Sequence, residues 1–160
     1  MNDVYRYTAL VAGDYGPGPG ALGFQDSTWY LLARCGSLAY QRWAGMLAQL
    51  GVSPSQYKVL MALAETGPAG QQRLAELVEV DPRNAVPIID ALAGRGFVAR
   101  EVDAGDRRRR VVALTSQGRR LAGELASVGA EIEADFLRAL SGPDQDALRR
   151  LLRTLLQSAG

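Results

Sequence analysis

Between Gly96 and Thr115 the hydrophobic period of this chain changes. On either side, apolar residues recur every three to four positions, the spacing of helices that bury one face. Inside the stretch, FVAREV (97–102) and RRVVAL (109–114) are rich in β-branched residues and are separated by the turn-forming DAGD, so they read as a hairpin. The fold class is therefore mainly α with a small β-hairpin, and the connection between its strands runs into four consecutive arginines, Arg107 to Arg110.

The helical signals just before the hairpin are sharp. In SPSQ (53–56), Ser53 stands at an N-cap, Pro54 at the first helical position and Gln56 at the third, a pattern that satisfies orphan backbone donors reciprocally. YKVLMALAET then runs to Gly67. QQRLAELV (71–78) is a short amphipathic helix, and Asp81 with Pro82 starts another that turns Val86, Ile89 and Leu92 inward and ends at Gly94 and Gly96. Two short helices joined by a tight turn form a helix-turn-helix candidate, and a hairpin directly after it is a wing. Pro87, in the interior of the second helix, cannot donate to the Arg83 carbonyl, which predicts a kink and a local cost of about 3 kcal/mol.

Long stripes flank this module. Ser27–Leu50, capped by Asp26 or Ser27, carries Leu31, Cys35, Leu38, Ala39, Met46 and Leu50 at helical spacing. Thr115 caps a segment with Leu121, Leu125, Val128, Ile132, Phe136 and Leu140, and Ser141 with Asp144 opens a last one through Leu148, Leu152 and Leu155. Stripes of this length outside a small central module predict burial against a second copy of the chain. The expected organisation is a flexible, Gly/Pro-rich arm over 1–25, a helical dimerisation part over 26–50 and 119–160, and a winged helix-turn-helix part over 51–118.

Charge is segregated although the formal net charge is only +1. From Arg83 to Arg120 nine arginines face four acidic residues, whereas the rest of the chain holds nine basic against thirteen acidic residues. A basic module on an acidic scaffold is the footprint of nucleic-acid contact. Along an extended strand Arg107 and Arg109 point one way and Arg108 and Arg110 the other, so two or three should meet phosphate or groove while at least one pairs with Asp103, Asp106 or a scaffold carboxylate. Arg83 and Asn84, in the first turn of the second helix, carry side chains suited to guanine and adenine edges; for Arg83 a phosphate contact is the competing role.

Composition removes other chemistries. Histidine is absent, which excludes His-based triads, HExxH zinc sites and Cys/His zinc fingers. The single cysteine, Cys35, forms no internal disulfide and suits a reducing compartment. No cofactor is called for. Gly18, Gly20 and Gly23 match G-x-G-x-x-G, but Pro19 stiffens the loop and no acidic residue or βαβ unit follows, so a nucleotide-binding enzyme is the weaker alternative. The N-terminus is unlike a signal peptide and no apolar run could span a bilayer, so a cytoplasmic, non-membrane protein is expected.

GVSPSQYKVLMALAE, LAELVEVDPRNAVPIIDALAGRGFVAR and DAGDRRRRVVALTSQG together resemble the MarR family of winged-helix transcriptional regulators over about residues 28–156. The wing pattern D-x-R-D-x-R followed by L-T-x-x-G appears as Asp103, Gly105, Asp106, Arg108, Leu114, Thr115 and Gly118, with Gly105 in place of the first arginine. Glu79 stands at the turn where the family often has glycine, and Gly70 where it often has a Ser or Thr cap. The resemblance implies a homodimeric regulator, a repressor, on a pseudo-palindromic double-stranded DNA operator. In it Arg108 reaches the DNA backbone and minor groove while Asp106 orients that arginine. It also implies a cavity for a small aromatic effector between the DNA-binding and dimer parts, for which Trp29, Arg34, Tyr40, Arg42, Trp43 and Tyr57 are candidates; the same aromatic residues serve equally as core. Some members sense peroxide through a cysteine on the first helix, so Cys35 is either a thiol switch or a small hydrophobe on an apolar stripe.

Overall fold

A computed structural model describes residues 23–103, 105–106 and 108–158. Most of the expected N-terminal arm, and Arg107, lie outside the described residues. After a short 3-10 turn at Gly23–Asp26, the elements are α1 (Thr28–Gln49), α2 (Pro54–Thr66), α3 (Gln71–Leu77), α4 (Pro82–Gly94), β1 (Val98–Val102), β2 (Arg110–Leu114), α5 (Ser116–Leu137) and α6 (Gly142–Ser158). The caps read from the sequence are made by side-chain oxygens. Ser27, not Asp26, accepts from the Tyr30 N–H at the start of α1. The Ser53 hydroxyl accepts from the Gln56 N–H at 3.2 Å while the Gln56 amide oxygen accepts from the Ser53 N–H at 3.0 Å. Asp81 accepts from the Arg83 N–H at 2.8 Å, and Thr115 from the Gly118 N–H at 3.0 Å.

The core collects one face from each central element: Val59, Leu60 and Leu63 of α2, Leu74 and Ala75 of α3, Ala85, Ile89 and Leu92 of α4, and Val98 and Val112 of the hairpin. Two neighbours intrude. Met46 and Leu47, at the end of α1, and Leu121 and Leu125, at the start of α5, are buried in the same cluster. The winged-helix core is thus closed by the ends of the flanking helices. The rest of α1 stays open: Leu31 and Leu38, on the stripe expected to meet a second copy, are exposed in the single chain, as are Leu151, Leu152, Leu155 and Leu156 of α6, which buries no residue at all.

The hairpin is antiparallel, with Val98 opposite Leu114 and Val102 opposite Arg110. Val111, Val112 and Ala113 are all buried, which a two-stranded hairpin with one wet face does not allow. Ala69 exchanges both hydrogen bonds with Val112, at 2.8 and 3.1 Å, so β2 is the middle member of a three-membered ladder with backbone along both of its edges. This pairing also fastens the wing to the loop that enters α3.

Two backbone positions fix the junctions. The turn between α3 and α4 places Glu79 at φ 56°, a left-handed conformation that a side chain adopts at a cost of roughly 1–2 kcal/mol. At the opposite end of the module, Gly118 lies where a Cβ would stand 1.9 Å from the Phe97 carbonyl oxygen. Only glycine lets α5 start this close to the hairpin. Pro87 sits within α4, which continues as one helix from Pro82 to Gly94 around it.

Candidate nucleic-acid interface

The burial of Ala85, Ile89 and Leu92 turns the opposite side of α4 outward. Arg83, Asn84, Pro87, Asp90 and Ala91 are exposed there. Arg100, on β1, reaches across to the Asp90 carboxylate at 2.5 Å, tying the wing to this helix and neutralising the acid on its outer face.

The tip of the wing is built by its two acids. The Asp103 carboxylate accepts from the Gly105 N–H at 2.7 Å and the Asp106 N–H at 3.3 Å, and Asp106 accepts from the Arg108 N–H at 2.9 Å. The Arg109 N–H donates to the Asp106 carbonyl, and the Arg109 carbonyl accepts from the Asp103 N–H. Short acidic side chains turned back on their own backbone make compact turns, and this one presents the arginines outward. The ion pair expected between these acids and the run is not formed by Arg108, Arg109 or Arg110: among the described residues no carboxylate lies within bridging distance of the three. The Asp103 and Asp106 carboxylates are occupied instead by backbone donors of the turn itself.

The other arginines of the basic stretch divide cleanly. Arg95 donates to the Gly51 carbonyl at 2.6 Å and lies over the Phe97 ring, Arg100 holds Asp90, and Arg119 donates to the Leu114 carbonyl at 2.8 Å and to the Ser116 hydroxyl. These three serve the fold. Arg83, Arg108, Arg109, Arg110 and Arg120 are exposed and make no ion pair among the described residues. The Arg109 guanidinium lies beside Gly70, 3.7 Å from where a Cβ would be, at the uncapped start of α3. An outward helix turn and a wing that carry uncompensated guanidinium groups can contact a polyanion with both elements at once, the helix reaching base edges and the wing reaching phosphate.

A cavity of about 440 Å³ lies between α1, α2 and α5, lined by Arg42, Trp43, Tyr57, Met61, Ile132 and Phe136 among others. Trp43 meets Tyr57 edge to face at 5.4 Å. Arg42 stacks over Phe136 at 5.0 Å and holds Asp135 loosely at 3.4 Å, while Glu133, the acid in the wall, is engaged by Arg149 at 3.0 Å. Arg42 is therefore the cation of this cavity. Of the candidates for an effector pocket, Arg42, Trp43 and Tyr57 come together here. Tyr40 packs on Trp43 at 5.7 Å from outside the lining. Trp29 and Arg34 do not reach it: Trp29 is 82% exposed and sits about 21 Å along α1 from Trp43, and Arg34 is roughly 180° around the helix from it. The residues on α5, Ile132 and Phe136, were legible only as an apolar stripe.

Cys35 is exposed and lies elsewhere, in an apolar groove of about 600 Å³ between α1, α5 and α6 with Leu31, Leu32, Leu140, Leu148 and Leu152. Arg149 lines the same groove but is engaged by Glu133 and Asp146. No described helix is long and apolar enough to cross a membrane.

A helix-turn-helix followed by a wing, both presenting free guanidinium groups, defines a winged-helix DNA-binding protein. The MarR family model matches residues 52–109, from the start of α2 through β1 to the tip of the wing. The transcriptional regulator HosA of Escherichia coli is 30% identical over 117 residues, spanning 73% of this chain and 85% of the relative. The structure of the repressor CouR bound to a 23-mer DNA duplex superposes with a TM-score of 0.72 at 26% identity, covering 87% of this chain and 99% of that one. CouR from Rhodococcus jostii RHA1 bound to p-coumaroyl-CoA gives 0.70 at 25% identity, over 84% and 95% of the two chains. The chain belongs to the MarR family, and it is a DNA-binding transcriptional regulator.

Proposed function

We propose that this protein is a homodimeric repressor that binds a pseudo-palindromic operator and releases it when a small aromatic effector enters the cavity at Arg42, Trp43 and Tyr57. On this reading 51–118 carries DNA contact, and 26–50 with 119–160 carries dimerisation. Arg83 and Asn84 meet base edges, and the wing arginines, Arg107 to Arg110, meet the backbone and minor groove. The protein acts by binding, in the cytoplasm, without a chemical step. The exposed leucines of α1 and α6 support pairing of two copies, because an apolar surface of that extent is left uncovered by one chain.

The observation that carries the effector is the position of the cavity. Its walls are α2, whose far end leads through Ala69 into the wing ladder, and α5, whose start is locked against Phe97. A ligand wedged between α2 and α5 bears on both attachments of the DNA-binding module. It shifts DNA affinity by its differential affinity for the two arrangements. That CouR has been captured with both an aromatic thioester and a DNA duplex supports the same pairing of ligands here.

Salicylate and p-coumarate are suitable probes. Either should displace the protein from a duplex enriched from a random library, equally in wild type and Cys35→Ser, and about tenfold more weakly in Arg42→Ala, the scale of one lost charge-assisted hydrogen bond. Release by peroxide that disappears in Cys35→Ser, with no response to the aromatic acids, would replace this reading by a thiol switch.

A further inference from the structure

We infer that Pro87 is a specificity-determining residue that reads the C5-methyl group of a thymine in each operator half-site. The inference rests on the operator-binding reading above and assigns one of its contacts.

Pro87 occupies the outward face of α4 and is exposed, whereas the residues beside it in sequence, Val86 and Ile88, are half-buried. On a helix it lies one turn beyond Arg83 and Asn84, so the three form one continuous patch, and Ala91 extends that patch by a further turn. The remaining exposed residue of this face, Asp90, has its charge held by Arg100. Beyond the polar first turn, the surface offered to a groove is therefore apolar and close to neutral, with the pyrrolidine ring at its centre.

Chemistry then selects the partner. In the major groove the methyl of thymine is the apolar group that a base pair presents, and the other features are hydrogen-bond donors and acceptors. A proline has no side-chain donor or acceptor, and it lacks an N–H. Packed on a cytosine or adenine amino group it would strip water from a donor and return nothing; packed on a thymine methyl it removes two apolar surfaces from water together. Its ring also loses no rotamer freedom on contact, unlike the long side chains beside it. The spacing fits: four residues of helix advance about 6 Å, less than two base-pair steps of about 3.4 Å each, so the thymine lies one or two pairs from the base met by Arg83 or Asn84. A proline inside a helix removes one backbone hydrogen bond, and α4 tolerates it because Ala85, Ile89 and Leu92 anchor the other face.

The test removes the methyl group and nothing else. A duplex is enriched from a random library with the wild-type dimer, and each thymine of a half-site is exchanged in turn for deoxyuridine. At one thymine per half-site the exchange should weaken binding about fourfold, and by roughly fifteenfold when both half-sites are changed, the scale of one buried methyl each. In Pro87→Ser, whose helix gains the missing N–H and should melt no lower than wild type, the ratio of thymine to deoxyuridine affinity at that position should fall to near one. Ratios elsewhere should stay as they were. If no thymine shows methyl dependence, or if the ratio is the same in Pro87→Ser, the assignment of Pro87 is wrong while operator binding stands. If the wild type enriches no duplex, both fall together.

Discussion

Gly118→Ala should destabilise the fold by about 3 kcal/mol, the upper range for forced overpacking. The added Cβ would lie 1.9 Å from the Phe97 carbonyl oxygen and 2.9 Å from its carbon, and backbone atoms cannot swing aside as a side-chain tip can. The same carbonyl accepts from the Thr115 N–H at 3.0 Å, and the Thr115 hydroxyl donates to the Gly96 carbonyl at 2.7 Å while capping α5 through Gly118. Relief requires α5 to lift from the hairpin, and Leu121, Ala122 and Leu125 would leave the core with it. Denaturant unfolding of the two proteins measures the effect directly. An unfolding free energy unchanged within about 0.5 kcal/mol would mean that the junction is looser than described. The threonine and glycine of the L-T-x-x-G motif thus act structurally, welding the wing to the helix that leads away from it.

The largest expected change in DNA binding comes from Arg108→Ala combined with Arg109→Ala. The two subunits would lose four guanidinium groups. If each neutralises one phosphate, the slope of log affinity against log salt should fall by about 3.6, and affinity near 0.1 M salt should drop on the order of a hundredfold or more. Arg95→Ala and Arg119→Ala are the informative controls, since those side chains are spent on Gly51, Phe97, Leu114 and Ser116. They should cost stability and leave the salt slope intact. A double wing variant with the wild-type slope would show that the wing is held away from DNA.

Local signals made most of the secondary structure legible, because each rests on atoms close in sequence. Ser53, Asp81 and Thr115 bond backbone groups two or three residues away, so their caps can be read from residue type and spacing. The bridge between Ala69 and Val112 cannot be read in this way. It involves one residue of a loop without strand periodicity, and its partner is chosen only once α2 has folded back. The intrusion of Met46 and Leu47 into the winged-helix core was hidden for a related reason: the stripe on α1 is continuous, and nothing in its period marks where burial begins. The arginines show the same boundary. Their surplus was evident, but which of them serve the fold depended on carbonyls and carboxylates far away in sequence, such as Gly51 for Arg95 and Asp90 for Arg100. Asp103 and Asp106 looked like partners for guanidinium groups because charge is visible in sequence and turn geometry is not. Trp29 and Arg34 lie off the lining of the cavity at Arg42 through length and phase, two properties that residue type alone does not convey.

Hydroxyl-radical footprinting of the wild-type protein on its enriched duplex tests the central claim most directly. A dimer that places one α4 and one wing on each half-site should protect two patches on one face of the duplex, related by a two-fold axis, with the half-sites about 10 base pairs apart. Protection of a single patch, or uniform protection without a fixed register, would contradict a symmetric operator-binding dimer.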